Sequence, residues 1–96
     1  MTLEQIDYFI CAAQSRTFFD AAETIHISQS ALSKQIMKLE KELELTLWDR
    51  SKRTAMLTPA GEFFYKEALK ISRQYHRSME AVSHFKDSES KVLHIG

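Results

Sequence analysis

The sequence predicts a mainly α fold: three helices, a two-stranded β-ribbon and a long fourth helix. Three observations carry that prediction. Apolar residues recur at helical spacing over residues 3–13 and 32–43. Two short β-prone runs, "LWDR" and "TAMLT", flank the turn "SKR". After "TPAGE" no further proline interrupts the chain, so a last helix can run to about Phe85.

The first helix opens at Thr2, which has capping-box spacing to Gln5; Leu3, Ile6, Phe9 or Ile10, and Ala13 keep the period. It should fade near Ser15 and Arg16. Thr17 caps the short second helix, "FFDAAETI", with Asp20 three residues on. "HIS" is a tight break, and His26 suits a positive φ. The third helix runs over 28–43. Leu32, Ile36, Leu39 and Leu43 form its apolar stripe, and Ser30, Lys34, Met37, Lys38 and Lys41 lie opposite. The ribbon follows, with Leu47, Trp48 and Leu57 available to the core and a basic tip at Arg50, Lys52 and Arg53. Thr58 is placed to cap the fourth helix and Pro59 to begin it. Phe64, Ala68, Ile71, Tyr75, Ser78, Val82 and Phe85 then alternate at spacings of four and three, a coiled-coil seam with one polar step. "KDSESK" reads as a linker that breaks the helix, and "VLHIG" as the first strand of something further.

Bulk properties narrow the function. The 96 residues suffice for one core and not for two. With 44% hydrophobic and 27% charged residues the chain folds rather than staying disordered. No apolar run approaches the ~20 residues of a membrane span, and "MTLEQIDYF" has no basic region before an apolar stretch. The lone Cys11 cannot form an internal disulfide, which fits a cytosolic setting and a thiol that packs as a small hydrophobe. No Gly-rich phosphate loop and no nucleophile with a base at motif spacing is visible, and the four histidines have no metal-ligand spacing. No enzyme activity, cofactor or metal is expected.

Net charge is zero, but it is unevenly spread. Residues 1–27 set one arginine against four carboxylates; residues 28–54 set six basic side chains against four acidic ones. A polyanion meets the local field, so the second segment is the one of interest. Two helices joined by a tight turn form a helix-turn-helix, whose second helix enters the major groove by its N-terminal end. "SQSALSKQI" puts Gln29, Ser30 and Ser33 at that end, uncharged and able to reach base edges, with Lys34 beside them. Lys38, Lys41 and the tip "RSKR" can meet the phosphate backbone.

The run from "FFDAAETIHISQSALSKQI" through "LEKELELTLWDRSKRTAMLTPAGE" resembles the DNA-binding domain of LysR-type transcriptional regulators. Its landmarks are the Ala21–Ala22 pair, "SQSALSKQI", "LEKELE" and "LTPAGE", and the likeness covers nearly the whole chain. It implies a winged helix-turn-helix over 1–58, a linker and dimerisation helix over 59–87, and over 88–96 the hinge and first strand of an effector-binding domain. It implies base contacts by Gln29, Ser30, Ser33 and Lys34, a wing contact by Arg53, and backbone contacts near Ser28 and Thr58. Partners would be double-stranded DNA and a second copy, paired antiparallel through Phe64, Ala68, Ile71, Tyr75, Val82 and Phe85. A small-molecule effector would bind only the further domain. Four positions depart from the family's pattern: Ser30 for Pro, Lys34 for Arg, Glu44 for Gly after the third helix, and Trp48 for Phe. The first two bear on which bases are read, since Lys lacks the planar fork of Arg.

Plainer readings are open beside these. The small polar turn could be a solvated helix start. Part of the lysine ridge could pair with Glu40, Glu42 and Glu44 along the surface. The start of the seam could serve the chain's own core as well as a partner. A helical dimerisation module with no specific DNA binding would share Leu32, Ile36 and Leu39, but would need neither the polar turn nor the basic tip.

Overall fold

Helix α1, Leu3–Gln14, begins where Thr2 and Gln5 cap each other: each side chain accepts the other's backbone N–H at 3.1 Å. The computed structural model describes the backbone of residues 1–51 and 56–95 and the side chains of 1–51 and 56–88. After the break at Ser15, Thr17 caps α2, Phe18–Thr24, by accepting from the Asp20 N–H at 3.0 Å. Both starts fall where the sequence puts them.

Helices α2 and α3 end in the same way, on a residue other than glycine. After α2, His26 takes φ 60°, Ile27 N–H donates to Ala22 at 3.0 Å and His26 N–H to Glu23 at 3.2 Å. After α3, Gln29–Leu43, Glu44 takes φ 56° and ψ 38°, Leu45 N–H donates to Glu40 at 3.1 Å and Glu44 N–H to Lys41 at 3.3 Å. Each is a Schellman motif. Glutamate therefore completes the helix end where glycine would be easier.

The core lies between the three helices, the ribbon and the start of the fourth helix. Phe9, Leu32, Ile36, Leu39 and Leu47 are fully buried. Phe9 meets Phe64 edge-on at 5.0 Å and Trp48 at 5.9 Å, and Trp48 meets Phe18 at 5.1 Å. Ala21 and Ala22 are buried as well, and their small side chains let α2 lie close to its neighbours. Each large side chain buried here stabilises the fold by about 1.5–3 kcal/mol.

Among the described residues the first strand is shorter than "LWDR" suggests. Strands β1, Trp48–Asp49, and β2, Met56–Leu57, pair antiparallel, Trp48 opposite Leu57. Leu47 and Leu57 reach the core as expected. Lys52 and Arg53, expected at a basic tip, lie outside the described residues.

Helix α4, Pro59–Ile95, starts as read: the Thr58 hydroxyl accepts from Gly61 N–H at 3.0 Å. Gly61 is buried, and a Cβ there would stand 2.1 Å from the Leu47 carbonyl oxygen. Only glycine lets α4 seat on the ribbon. The far end corrects the sequence reading. The backbone stays helical through "KDSESK" and "VLHI" instead of breaking and turning into a strand. That stretch has no proline or glycine before residue 96, and Ser and Asp each cost well under ~1 kcal/mol in a helix. A strand would also need a sheet to join. At ~1.5 Å per residue the 37-residue helix is about 55 Å long, which accounts for overall dimensions of 64 × 25 × 20 Å.

Candidate nucleic-acid interface

Packing fixes the rotation of α3. Leu32, Ile36 and Leu39 are buried on its inner side, and Gln5 Nε2 donates to Gln35 Oε1 at 3.0 Å from α1. What remains outside is Gln29, Ser30, Lys34, Met37, Lys38 and Lys41, all exposed, with Ser33 half-buried among them. Gln29, Ser30, Ser33, Lys34 and Met37 line one shallow concavity along the helix. Ser28 caps α3, its Oγ accepting from Ala31 N–H at 3.1 Å and lying 3.2 Å from the Ser30 Oγ. The uncharged first turn and the lysines thus occupy one open face.

The carboxylates of α3 turn elsewhere. Glu40 accepts from Leu47 N–H at 2.7 Å, from Trp48 N–H at 3.2 Å and from Arg50 Nη1 at 3.1 Å. Glu42 pairs with the N-terminal ammonium of Met1 at 2.5 Å. The expected pairing of these acids with the lysine ridge does not occur among the described residues: Lys34, Lys38 and Lys41 make no ion pair there. The reason is geometric. Glu40 points back over the end of α3, where two backbone N–H groups need an acceptor. The outward face of α3 keeps its positive charge.

Other candidate residues have structural tasks. Arg50 is held by Glu40 and lies 5.8 Å from the centre of the Phe18 ring, with 39% of its side-chain surface exposed. Thr58 donates its one hydroxyl proton to the Thr46 carbonyl at 2.5 Å. Phe64 and Ala68 are buried in this chain's own core, so the exposed part of the α4 seam begins at Ile71 and continues through Tyr75, Val82 and Phe85. Met79, absent from the seam as read, is exposed beside it. Leu3, Lys70, Ile71, Gln74, Tyr75 and Ser78 line a groove between the start of α1 and α4.

The role of Glu40 escaped the sequence reading. Glu40 looks like one more acid on a charged helix, and its bonds seven, eight and ten residues away leave no periodic trace. Met37 was legible as outward-facing by the helical period alone. Farther from α3, the Tyr8 hydroxyl donates to Glu4 at 3.0 Å, and that bond raises its pKa above the ordinary phenol value. Among the described residues no cluster of His, Cys, Asp or Glu could hold a metal ion, and no helix is long and apolar enough to cross a membrane.

This arrangement has close counterparts. The chain is 35% identical over its whole length to a "hydrogen peroxide-inducible genes activator" of Pectobacterium carotovorum, and 33% identical to the transcriptional regulator BenM of Acinetobacter baylyi. It spans about a third of their lengths, 32% and 31%. Among solved structures, the BenM DNA-binding domain bound to benA site 1 DNA superposes with a TM-score of 0.84 at 33% identity, over 88% of this chain and 99% of that one. The CbnR DNA-binding domain in its DNA complex gives 0.83 at 33% identity, over 88% and 97%. Residues 3–62 match the family described as "Bacterial regulatory helix-turn-helix protein, lysR family". The chain belongs to the LysR family of bacterial regulatory helix-turn-helix proteins, and its fold is the family's winged helix-turn-helix carrying a long C-terminal helix.

Proposed function

We propose that this chain is the DNA-binding part of a LysR-type transcriptional regulator and recognises a specific duplex sequence, with α3 in the major groove. The observation that carries the reading is the outward face of α3, where Gln29, Ser30 and Ser33 stand exposed or half-exposed beside Lys34 and Lys38, which make no ion pair among the described residues. Gln pairs with adenine at N6 and N7, Ser donates or accepts, and Lys favours guanine O6 and N7. Ser28, at the free N–H groups of the helix start, is suited to a phosphate. Arg50, Lys52, Arg53 and Thr58 flank this face in sequence and are assigned to the backbone and minor groove, Arg50 through donors that Glu40 leaves open.

One recognition helix covers too few base pairs to single out a site in a genome. A second copy supplies the rest. The exposed apolar line Ile71, Tyr75, Val82 and Phe85 is assigned to that pairing, with the two α4 helices antiparallel, and Phe64 and Ala68 support it from within the core. The DNA site is then an interrupted palindrome with half-sites about one helical turn apart. An effector-binding domain and a small-molecule effector belong to the longer protein in this reading. So does any higher oligomer.

Selection from random duplexes with this chain tests the proposal. The expected result is one enriched, two-fold symmetric sequence. Recovery of no preferred sequence would leave a helical dimerisation module as the better reading.

A further inference from the structure

The outward face of α3 is polar or basic at every position but one. Met37 is 57% exposed and lies two turns beyond the first turn, between the arc of Gln29 and Ser33 and the arc of Lys34 and Lys41. At about 100° per residue, positions 29, 30, 33, 34 and 37 share one side of the helix. They also line one shallow concavity, in which Met37 is the one apolar residue. The helix is ~1.5 Å per residue, so Met37 is about 12 Å along the axis from Gln29, a distance close to the width of the major groove. Exposed at this level, Met37 contributes little to the core. It is unbranched, and its thioether adapts to irregular apolar surfaces.

We infer that Met37 is a specificity-determining residue that reads the C5-methyl group of a thymine in the major groove. This rests on the major-groove docking proposed above. In that groove thymine alone carries a methyl group, and apolar side chains recognise it by contact. A lysine or glutamine at position 37 could reach a phosphate or an adenine instead. Methionine can do neither, so its presence on this face selects for apolar surface.

The test uses the chain as it stands and the half-site recovered by selection from random duplexes. Each thymine is replaced in turn by deoxyuridine, which removes the methyl and keeps the pairing. One thymine per half-site is expected to lose about fourfold in affinity without its methyl, the factor that corresponds to ~0.8 kcal/mol for a buried methyl-sized group. Met37→Gln should abolish that loss and weaken the preference for thymine at the same position, while Met37→Leu should retain both. Thermal unfolding of the two variants should match the parent, since the side chain is exposed. A half-site in which no thymine methyl matters, or one whose methyl dependence is the same in Met37→Gln, overturns the inference and leaves DNA recognition standing. Failure to select any sequence overturns both.

Discussion

Glu44 shows how local geometry exacts a cost that a sequence hints at. It holds φ 56° at the end of α3, where a side chain pays roughly 1–2 kcal/mol for the left-handed conformation. Glu44→Gly is expected to stabilise the fold by about 0.5–1 kcal/mol, after the greater freedom of glycine in the unfolded chain is counted. Thermal unfolding would show a rise of a few degrees, and an unchanged or lower midpoint would mean that the conformation is not strained. Glu40 acts in the opposite sense. Its carboxylate is the acceptor for the backbone N–H groups of buried Leu47 and Trp48, and it also holds Arg50. Glu40→Ala is expected to cost about 2–3 kcal/mol in denaturant unfolding, since bonds to a charged acceptor vanish and donors are stranded. Caps such as Thr2, Thr17 and Thr58 were legible because their partners lie three residues on. Glu40 was not, because its partners lie across a turn.

Elements follow the same division. The positions of α1, α2 and α3 were readable from cap residues and apolar period, both of which are local. The true length of α4 was not, since "KDSESK" is weakly helical by composition and contains nothing that forbids a helix. Phe64 and Ala68 have the spacing of a partner seam, yet tertiary packing claims them for the core. The seating of α4 on the ribbon depends on Gly61, where a Cβ would meet Leu47 oxygen at 2.1 Å. Gly61→Ala should therefore destabilise by at least about 1–3 kcal/mol, the usual cost of overpacking, although alanine favours helix elsewhere. A neutral outcome in equilibrium unfolding would show that α4 can shift on the ribbon at little cost. Of the candidate site, which residues of α3 face outward was legible from the helical period, whereas Lys52 and Arg53 lie outside the described residues.

At the scale of the molecule, the proposed pairing through α4 and the proposed reading of DNA by α3 depend on each other. Ile71 and Val82 are 39% and 58% exposed, and charges there are tolerated by the chain alone. Ile71→Asp with Val82→Asp is expected to leave the winged domain folded and to prevent pairing. Sedimentation at micromolar concentration should give a dimer for the parent and a monomer for the variant. Affinity for a two-half-site duplex should fall sharply while weak binding to one half-site persists. A parent that sediments as a monomer, and binds palindromes no better than single half-sites, would remove the dimer from the account.

The exposed first turn of α3 is expected to read bases. Fluorescence anisotropy on the selected duplex and on a random one, for the parent, Gln29→Ala and Ser33→Ala, tests it most directly. The parent should prefer the selected duplex by roughly a thousandfold or more. Each substitution should reduce binding to that duplex by about 1–3 kcal/mol, with little change on the random one. Equal weakening on both duplexes, or none on either, would contradict base reading by this face.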